Sequence, residues 1–258
     1  QSHKYKQIFA ESQKKLPHFG KHLKNFSLAL QRFASLSDPL LRILCLLPAV
    51  LDFLARLSDP AIGDPDDQQW AKKLLRVMTG EGSFQALTGA AVAADSILVG
   101  QKFLRLQDKA ESSAILKAAE AKAVLHDMAV MFRDEAVLQD TARNTMTQKV
   151  LQTISDIGII QYRDGPRTVS ASIPVPANKM EMLKQSCQKV WAVFKSFFES
   201  NFPGHEVVNC YAALDLEADL TWAQRKDFIY ALARHEDLPE ADVWLETQPM
   251  KHGTQIIP

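Results

Sequence analysis

Cysteine is scarce in this chain. Cys45, Cys187 and Cys210 are all there is, too few and too far apart for a disulfide framework, and none has CxxC or Cys/His zinc spacing. A reducing, intracellular setting is expected, with three half-buried thiols acting as small hydrophobes. Net charge is also lacking: 30 Lys and Arg face 30 Asp and Glu. That balance argues against a strongly basic nucleic-acid-binding domain and leaves local patches open. Long uncharged runs are missing as well. A membrane span needs about 20 nearly uncharged residues, but Leu40 to Leu57 contains Arg42, Pro48, Asp52 and Arg56, and Phe84 to Leu106 is interrupted by Asp95, Lys102 and Arg105. No membrane partner is expected. The polar, basic N-terminus lacks the apolar core of a signal peptide, and the opening Gln in place of Met leads us to expect a fragment or a processed chain.

Nucleotide signatures are missing too. Gly80-x-Gly82 lacks the third glycine and the preceding strand of a dinucleotide fold, and there is no GxxxxGK[ST] or GxSxG. No cofactor is expected, and no catalytic residue is assigned. Four acid or histidine groups invite a metal reading. Asp64, Asp66 and Asp67 sit in a Pro-rich turn, where aspartates cap and solvate helices. Asp215, Glu217 and Asp219 alternate before Thr221 and read as an acidic surface loop. His126 beside Asp127 has no second histidine at helical spacing and reads as a partly buried structural residue. His18 and His22 are four apart, but Pro17 and Gly20 disturb that segment.

What is present is apolar and helical. Apolar residues make up 47% of 258 and charged residues 23%, enough to offset chain entropy and argue against disorder over most of the length. The expected fold is mainly all-α, a multi-helix bundle with one small β-hairpin or extended excursion near residues 157–176. Four stretches organise it: a basic N-terminal helical segment over 1–35, a helical core over 36–156, the extended linker over 157–177, and a C-terminal helical segment with an acidic tail over 178–258.

Periodicity supplies the detail. Leu23, Phe26, Leu30 and Phe33 share a helical face. Ser37-Asp38-Pro39 reads as a stop and restart, and Leu40 to Leu57 as one apolar helix kinked at Pro48. Asp66 or Asp67 is expected to cap a short helix whose apolar residues are Trp70, Leu74 and Val77, and Ser83 to cap a long one to about Gln107. Asp108 to Gln139 reads as a single helix buried along Ile115, Ala119, Val124, Met128 and Met131, followed by another from about Thr141 to Ile154. The period changes at Ile157: β-branched runs flank Asp164-Gly165-Pro166. An aromatic helix over Lys179 to Asn201 carries Trp191, Phe194, Phe197 and Phe198, and short helices follow over Val207 to Leu214, Thr221 to Arg234 and Glu240 to Leu245.

The zero charge is unevenly spread. Up to residue 33, Lys4, Lys6, Lys14, Lys15, Lys21, Lys24 and Arg32 face Glu11 alone. From Glu206 to Glu246 acids dominate. Within the basic head, Lys14, Lys15, Lys21, Lys24 and Arg32 are the nucleic-acid candidates, since lysines beside inward-packing Phe19 and Phe26 can contact phosphates. The alternative is a solvated helix face.

Three stretches resemble the helical region of hAT-superfamily DNA transposases. They are Phe26 to Leu57, ending in Leu-Leu-Pro-Ala-Val-Leu-Asp-Phe-Leu; Phe84-Gln85-Ala86-Leu87 through Asp95-Ser96-Ile97-Leu98 to Phe103-Leu104-Arg105-Leu106-Gln107; and Phe197 to Pro203 with Tyr211 to Leu220. In that family the helical region is inserted in an RNase-H-like core that cuts DNA with acidic residues and divalent metal. The core's motifs are missing here: there is no Cys-x-x-His segment and no C-terminal dimerisation motif. The resemblance therefore implies an isolated, non-catalytic insertion region acting in scaffolding, self-association or DNA-end contact, nuclear in location, with DNA, a second copy or a partner protein as ligand. The alternative is a plain intracellular protein-interaction scaffold with no nucleic-acid role.

Overall fold

A computed structural model describes residues 2–15, 37–107, 114–142, 144–201, 207, 210–214 and 219–239. The described chain is mostly helical with one small antiparallel hairpin. It forms two compact units, one of residues 1–99 and 128–191, the other of residues 100–127 and 192–258.

In the first unit, α1 is Ser2–Lys14, α2 Ser37–Cys45 and α3 Leu47–Leu57. The kink expected at Pro48 is a full break. Leu46 separates the two helices and Pro48 falls in the first turn of α3, where its missing N–H costs nothing and its fixed φ suits a helix start. α3 is the centre of the core. Leu47, Leu51, Leu54 and Leu57 are each at most 1% exposed, and each contributes roughly 1.5–3 kcal/mol by leaving water. Around it pack α1, α4 (Pro65–Thr79), α7 (Met146–Ile157) and the strand β1 (Ile160–Asp164).

Asp64, rather than Asp66 or Asp67, caps α4. Its carboxylate accepts from Asp67 N at 2.9 Å, and Pro65 takes the first helical position. The proline decides the matter, because it is best tolerated at the first helical position and so marks the residue before it as the cap. Gly63 closes the preceding turn, where a Cβ would lie 2.0 Å from the Leu57 carbonyl oxygen.

α5 (Ser83–Gln107) starts just after Gly82, whose φ is +83°. Ser83 does not cap it: its hydroxyl is buried with no hydrogen-bond partner. Residues Ser83–Gln101 are long and apolar enough to cross a membrane by length and composition alone, because Lys102 and Arg105 lie beyond that window. In the structure 39% of that window is buried, with Phe84, Ala91, Val92 and Ala94 among its buried residues.

The single helix expected over 108–139 is shorter. α6 runs Ala114–Met128, widens into a π-helical turn at Ala129–Arg133, and stops where Glu135 adopts φ +60°. Its buried side chains include Ala121, Val124, Met128, Ala129 and Phe132; Ala119, expected inside, is exposed. Two 3-10 turns, Ala136–Leu138 and Asp140–Ala142, lead into α7. That helix is capped by Thr145, not started at Thr141.

The hairpin follows the sequence closely. β1 pairs with β2 (Arg167–Ala171), with Asp164 opposite Arg167 and Tyr162 opposite Val169. Gly165 takes φ +61° at the first central position of the two-residue turn, a conformation that costs glycine little. Tyr162, at 6% exposed, anchors the hairpin in the core.

α8 (Lys179–Asn201) carries the aromatic run. Phe198 is buried and Phe197 exposed. In the second unit Phe194 and Phe198 stack with ring centres 6.0 Å apart. A 3-10 turn at Tyr211–Leu214 packs on α9 (Trp222–His235). Thr221 caps α9 in a reciprocal capping box with Gln224. The expected helices over Leu23 to Phe33 and Glu240 to Leu245 lie outside the described residues.

Candidate cationic contact face

α4 packs through Ala71 and Leu75, which are fully buried, with Leu74 and Met78 half-buried beside them. A helix turns 100° per residue, so Gln69, Lys73 and Arg76 come out on the opposite side. Trp70 and Val77, two of the apolar residues read for this helix, flank that side at 51% and 65% exposed. α4 carries two overlapping apolar stripes, and the chain buries the one through Ala71 and Leu75.

The hairpin tip borders this face. Asp164 lies 3.5 Å from Lys72 Nζ and 2.9 Å from Arg76 Nη2. Arg76 is pushed to a still higher pKa than a free guanidinium, first by the nearby Tyr162 hydroxyl and then by Asp164. Between helix and hairpin runs a groove of about 630 Å³ lined by Gln69, Lys72, Lys73, Arg76, Val77 and Asp164, among others. Arg167 is exposed and stands opposite Asp164 in the register, so both side chains leave the same hairpin face. Neither Lys73 nor Arg167 has an acid within ion-pair distance among the described residues. Asp66, exposed on the same outward side of α4, is a second carboxylate beside Asp164, so four cations stand against two acids and the face keeps two net positive charges.

The basic head is used differently. Lys15 Nζ is 2.7 Å from Asp52 Oδ1 on α3. Arg56 reaches back to Glu11 at 2.6 Å and to the Ile8 carbonyl at 3.3 Å, and holds the Glu11 carboxyl below its ordinary pKa. The Tyr5 hydroxyl donates to Asp67 at 2.5 Å, with Lys4 3.7 Å from the same carboxylate. That bond, with smaller effects of desolvation and of the neighbouring charge, raises the Tyr5 pKa to about 12. Lys14 is exposed. Lys21, Lys24 and Arg32 lie outside the described residues. The described part of the head is therefore tied to α3 and α4 by its charges.

Metal readings gain no geometry. Asp64 caps α4, Asp67 receives Tyr5, and Asp66 is exposed. His126 and Asp127 are exposed, contrary to the partly buried histidine expected. Asp219 is exposed; Asp215, Glu217, His18 and His22 lie outside the described residues. Among the described residues no three His, Cys, Asp or Glu converge as a metal set would. Of the thiols, Cys45 is half-buried and Cys187 and Cys210 are buried.

The sequence reading passed over Asp95. At 4% exposed in α5, its carboxylate accepts from Met146 N at 2.7 Å, Thr147 N at 2.8 Å and the Thr147 hydroxyl at 2.7 Å. Thr145 takes Gln148 N at 3.3 Å, and Lys149 N returns to the Thr145 carbonyl at 3.1 Å. Every amide of the first turn of α7 is thus satisfied, and a negative charge sits where the helix dipole favours one.

No protein-family model matches the sequence, and no curated protein or solved structure matches it either.

Proposed function

We propose that this chain is a non-catalytic helical contact module that engages the phosphate backbone of nucleic acid through the outward face of α4 and the hairpin tip. The observation that carries this reading is the grouping of Lys72, Lys73 and Arg76 around one groove, with Arg167 exposed at the hairpin tip opposite Asp164 in the register. Phosphates are bound by such cations through counterion release, which needs charge density and no catalytic group. The resemblance to the helical insertion of hAT-type transposases supports the same reading and goes with a nuclear location. The net neutral chain then has a local basic face, on α4 rather than in the head alone.

The test is binding of a labelled DNA duplex by the full chain over a salt series. Binding near about 50 mM salt that weakens steadily with added salt supports the reading; no binding at low salt removes it.

A second reading is favoured by Trp70 and Val77, exposed side by side along α4. Exposed tryptophan bordered by arginine and lysine suits a protein interface, with a second copy or a partner protein across it. Light scattering after size exclusion separates this reading: a dimer that Trp70→Ala dissolves supports it.

A further inference from the structure

Asp164 occupies the place in the groove that an incoming anion would need. Its two oxygens face Lys72 and Arg76 separately, at 3.5 and 2.9 Å. One guanidinium N–H and one ammonium, each on its own carboxylate oxygen, are also donors that suit two oxygens of a phosphate. The carboxylate is delivered by the rigid end of a hairpin whose Tyr162 is buried and whose turn is fixed by Gly165 and Pro166. Lys72 is mostly shielded, with its side chain 16% exposed, whereas Arg76 is 63% exposed. Arg76 can therefore swing to a ligand while Lys72 stays in the groove.

We infer that Asp164 is a built-in competitor for the phosphate site, a carboxylate that holds Lys72 and Arg76 until a backbone phosphate replaces it. This inference rests on the nucleic-acid reading above. Asp164 sets the affinity: with it in place, Lys73 and Arg167 alone hold the duplex near about 100 mM salt, and Lys72 and Arg76 join only at lower salt, by giving up their internal partner. The site then favours a continuous backbone, which supplies several phosphates at once, over a single free phosphate.

Salt-dependent duplex binding by the full chain provides the test, comparing wild type with Asp164→Asn, Asp164→Ser and Asp66→Asn. Asp66 is exposed in the first turn of α4, so its substitution removes the same charge nearby without freeing Lys72 or Arg76. Folding of each variant is checked by circular dichroism, and two substitutions at position 164 guard against one that disturbs the turn. Either Asp164 variant is expected to bind about 5- to 10-fold tighter near 100 mM salt, with a log–log salt slope steeper by about two, one unit per released cation. Asp66→Asn is expected to gain less than about 2-fold, as a general field effect.

If the Asp164 variants gain no more than Asp66→Asn, or gain affinity with an unchanged slope, the competitor role is overturned. The nucleic-acid reading survives that result, provided wild-type binding is salt-dependent and weakened by Lys73→Glu. If no variant binds near about 50 mM salt, both fail. Inorganic phosphate at matched ionic strength supplies the last arm. Weak, partial displacement of duplex is expected; full displacement at low millimolar phosphate would make this a free-phosphate site and overturn the inference.

Discussion

Replacing Asp95 by alanine removes the acceptor for two buried backbone N–H groups and one hydroxyl, at 2.7, 2.8 and 2.7 Å. Each bond has an ionised acceptor and contributes about 1.5–3 kcal/mol, while a buried donor left unpaired costs about 1–3 kcal/mol. Against this stands the cost of burying the carboxylate itself, which is several kcal/mol and is recovered when it is removed. The balance for Asp95→Ala is a loss of about 3–5 kcal/mol. Asp95→Asn keeps one acceptor oxygen but turns an NH2 toward the remaining donors, so about 2 kcal/mol is expected. Thr147→Val takes away one hydroxyl donor and leaves both amides satisfied, for about 1 kcal/mol. Urea titration at constant m-value gives the stabilities, and hydrogen exchange at Met146 and Thr147 gives the local effect. A loss below about 1 kcal/mol for Asp95→Ala, or equal losses for Asp95→Ala and Thr147→Val, would refute the argument.

Three further outcomes follow from the geometry. Gly63→Ala brings a Cβ within 2.0 Å of the Leu57 carbonyl oxygen, and this backbone has no flexible end to move, so a loss of about 2 kcal/mol or more is expected in the same titration. Burial, with the carboxylates of Glu135 and Asp95 nearby, raises the Cys187 thiol to about 11. Its folded pKa lies above the ordinary thiol value, so its contribution to stability is intact below about pH 8.5 and fades as pH rises toward 11; Cys187→Ala should flatten that part of the profile, and Cys187 should resist thiol reagents at pH 8. Glu11 has its pKa lowered by Arg56, so its contribution is present above the ordinary carboxylate range and is lost as pH falls through the folded value. Amide protection factors in α1, corrected for the intrinsic exchange rate, should fall on acidification, and Glu11→Gln should remove that acid-induced change.

Local chemistry explains which parts of the fold were legible. Thr221, expected as a cap, and the β-branched runs around Asp164-Gly165-Pro166, expected as a hairpin or an extended excursion, each specify their structure within a few residues; the capping partner Gln224 and the two-residue turn come from the structure. Pro48 and Pro65 were informative, but a proline marks a boundary only to within a turn: Pro48 broke the helix instead of kinking it, and Pro65 moved the cap to Asp64. The end of α6 at the left-handed Glu135 has no glycine or proline to announce it. On α4 the sequence reading named Trp70, Leu74 and Val77 as the apolar residues, yet the side packed inward is that of Ala71 and Leu75, with Trp70 and Val77 exposed. That inversion exposes the contact face. Asp95 looked like an interruption in an apolar run, and its role depends on Met146 and Thr147, about 50 residues away, a pairing that periodicity does not register. The same holds for the groove, since Asp164 reaches Lys72 and Arg76 only through the docking of the hairpin on α3.

The central claim is that the cationic face of α4 and the hairpin tip, more than the N-terminal basic head, makes the contact with nucleic acid. The measurement that tests it most directly is the salt slope of duplex binding for wild type, Lys73→Glu/Arg167→Glu, and Lys14→Glu. None of the three residues has an ion-pair partner among the described residues. The account predicts that the double variant flattens the slope by about two and weakens binding at least 10-fold near 100 mM salt, while Lys14→Glu changes either quantity far less. The reverse order, or equal effects from both variants, would contradict it.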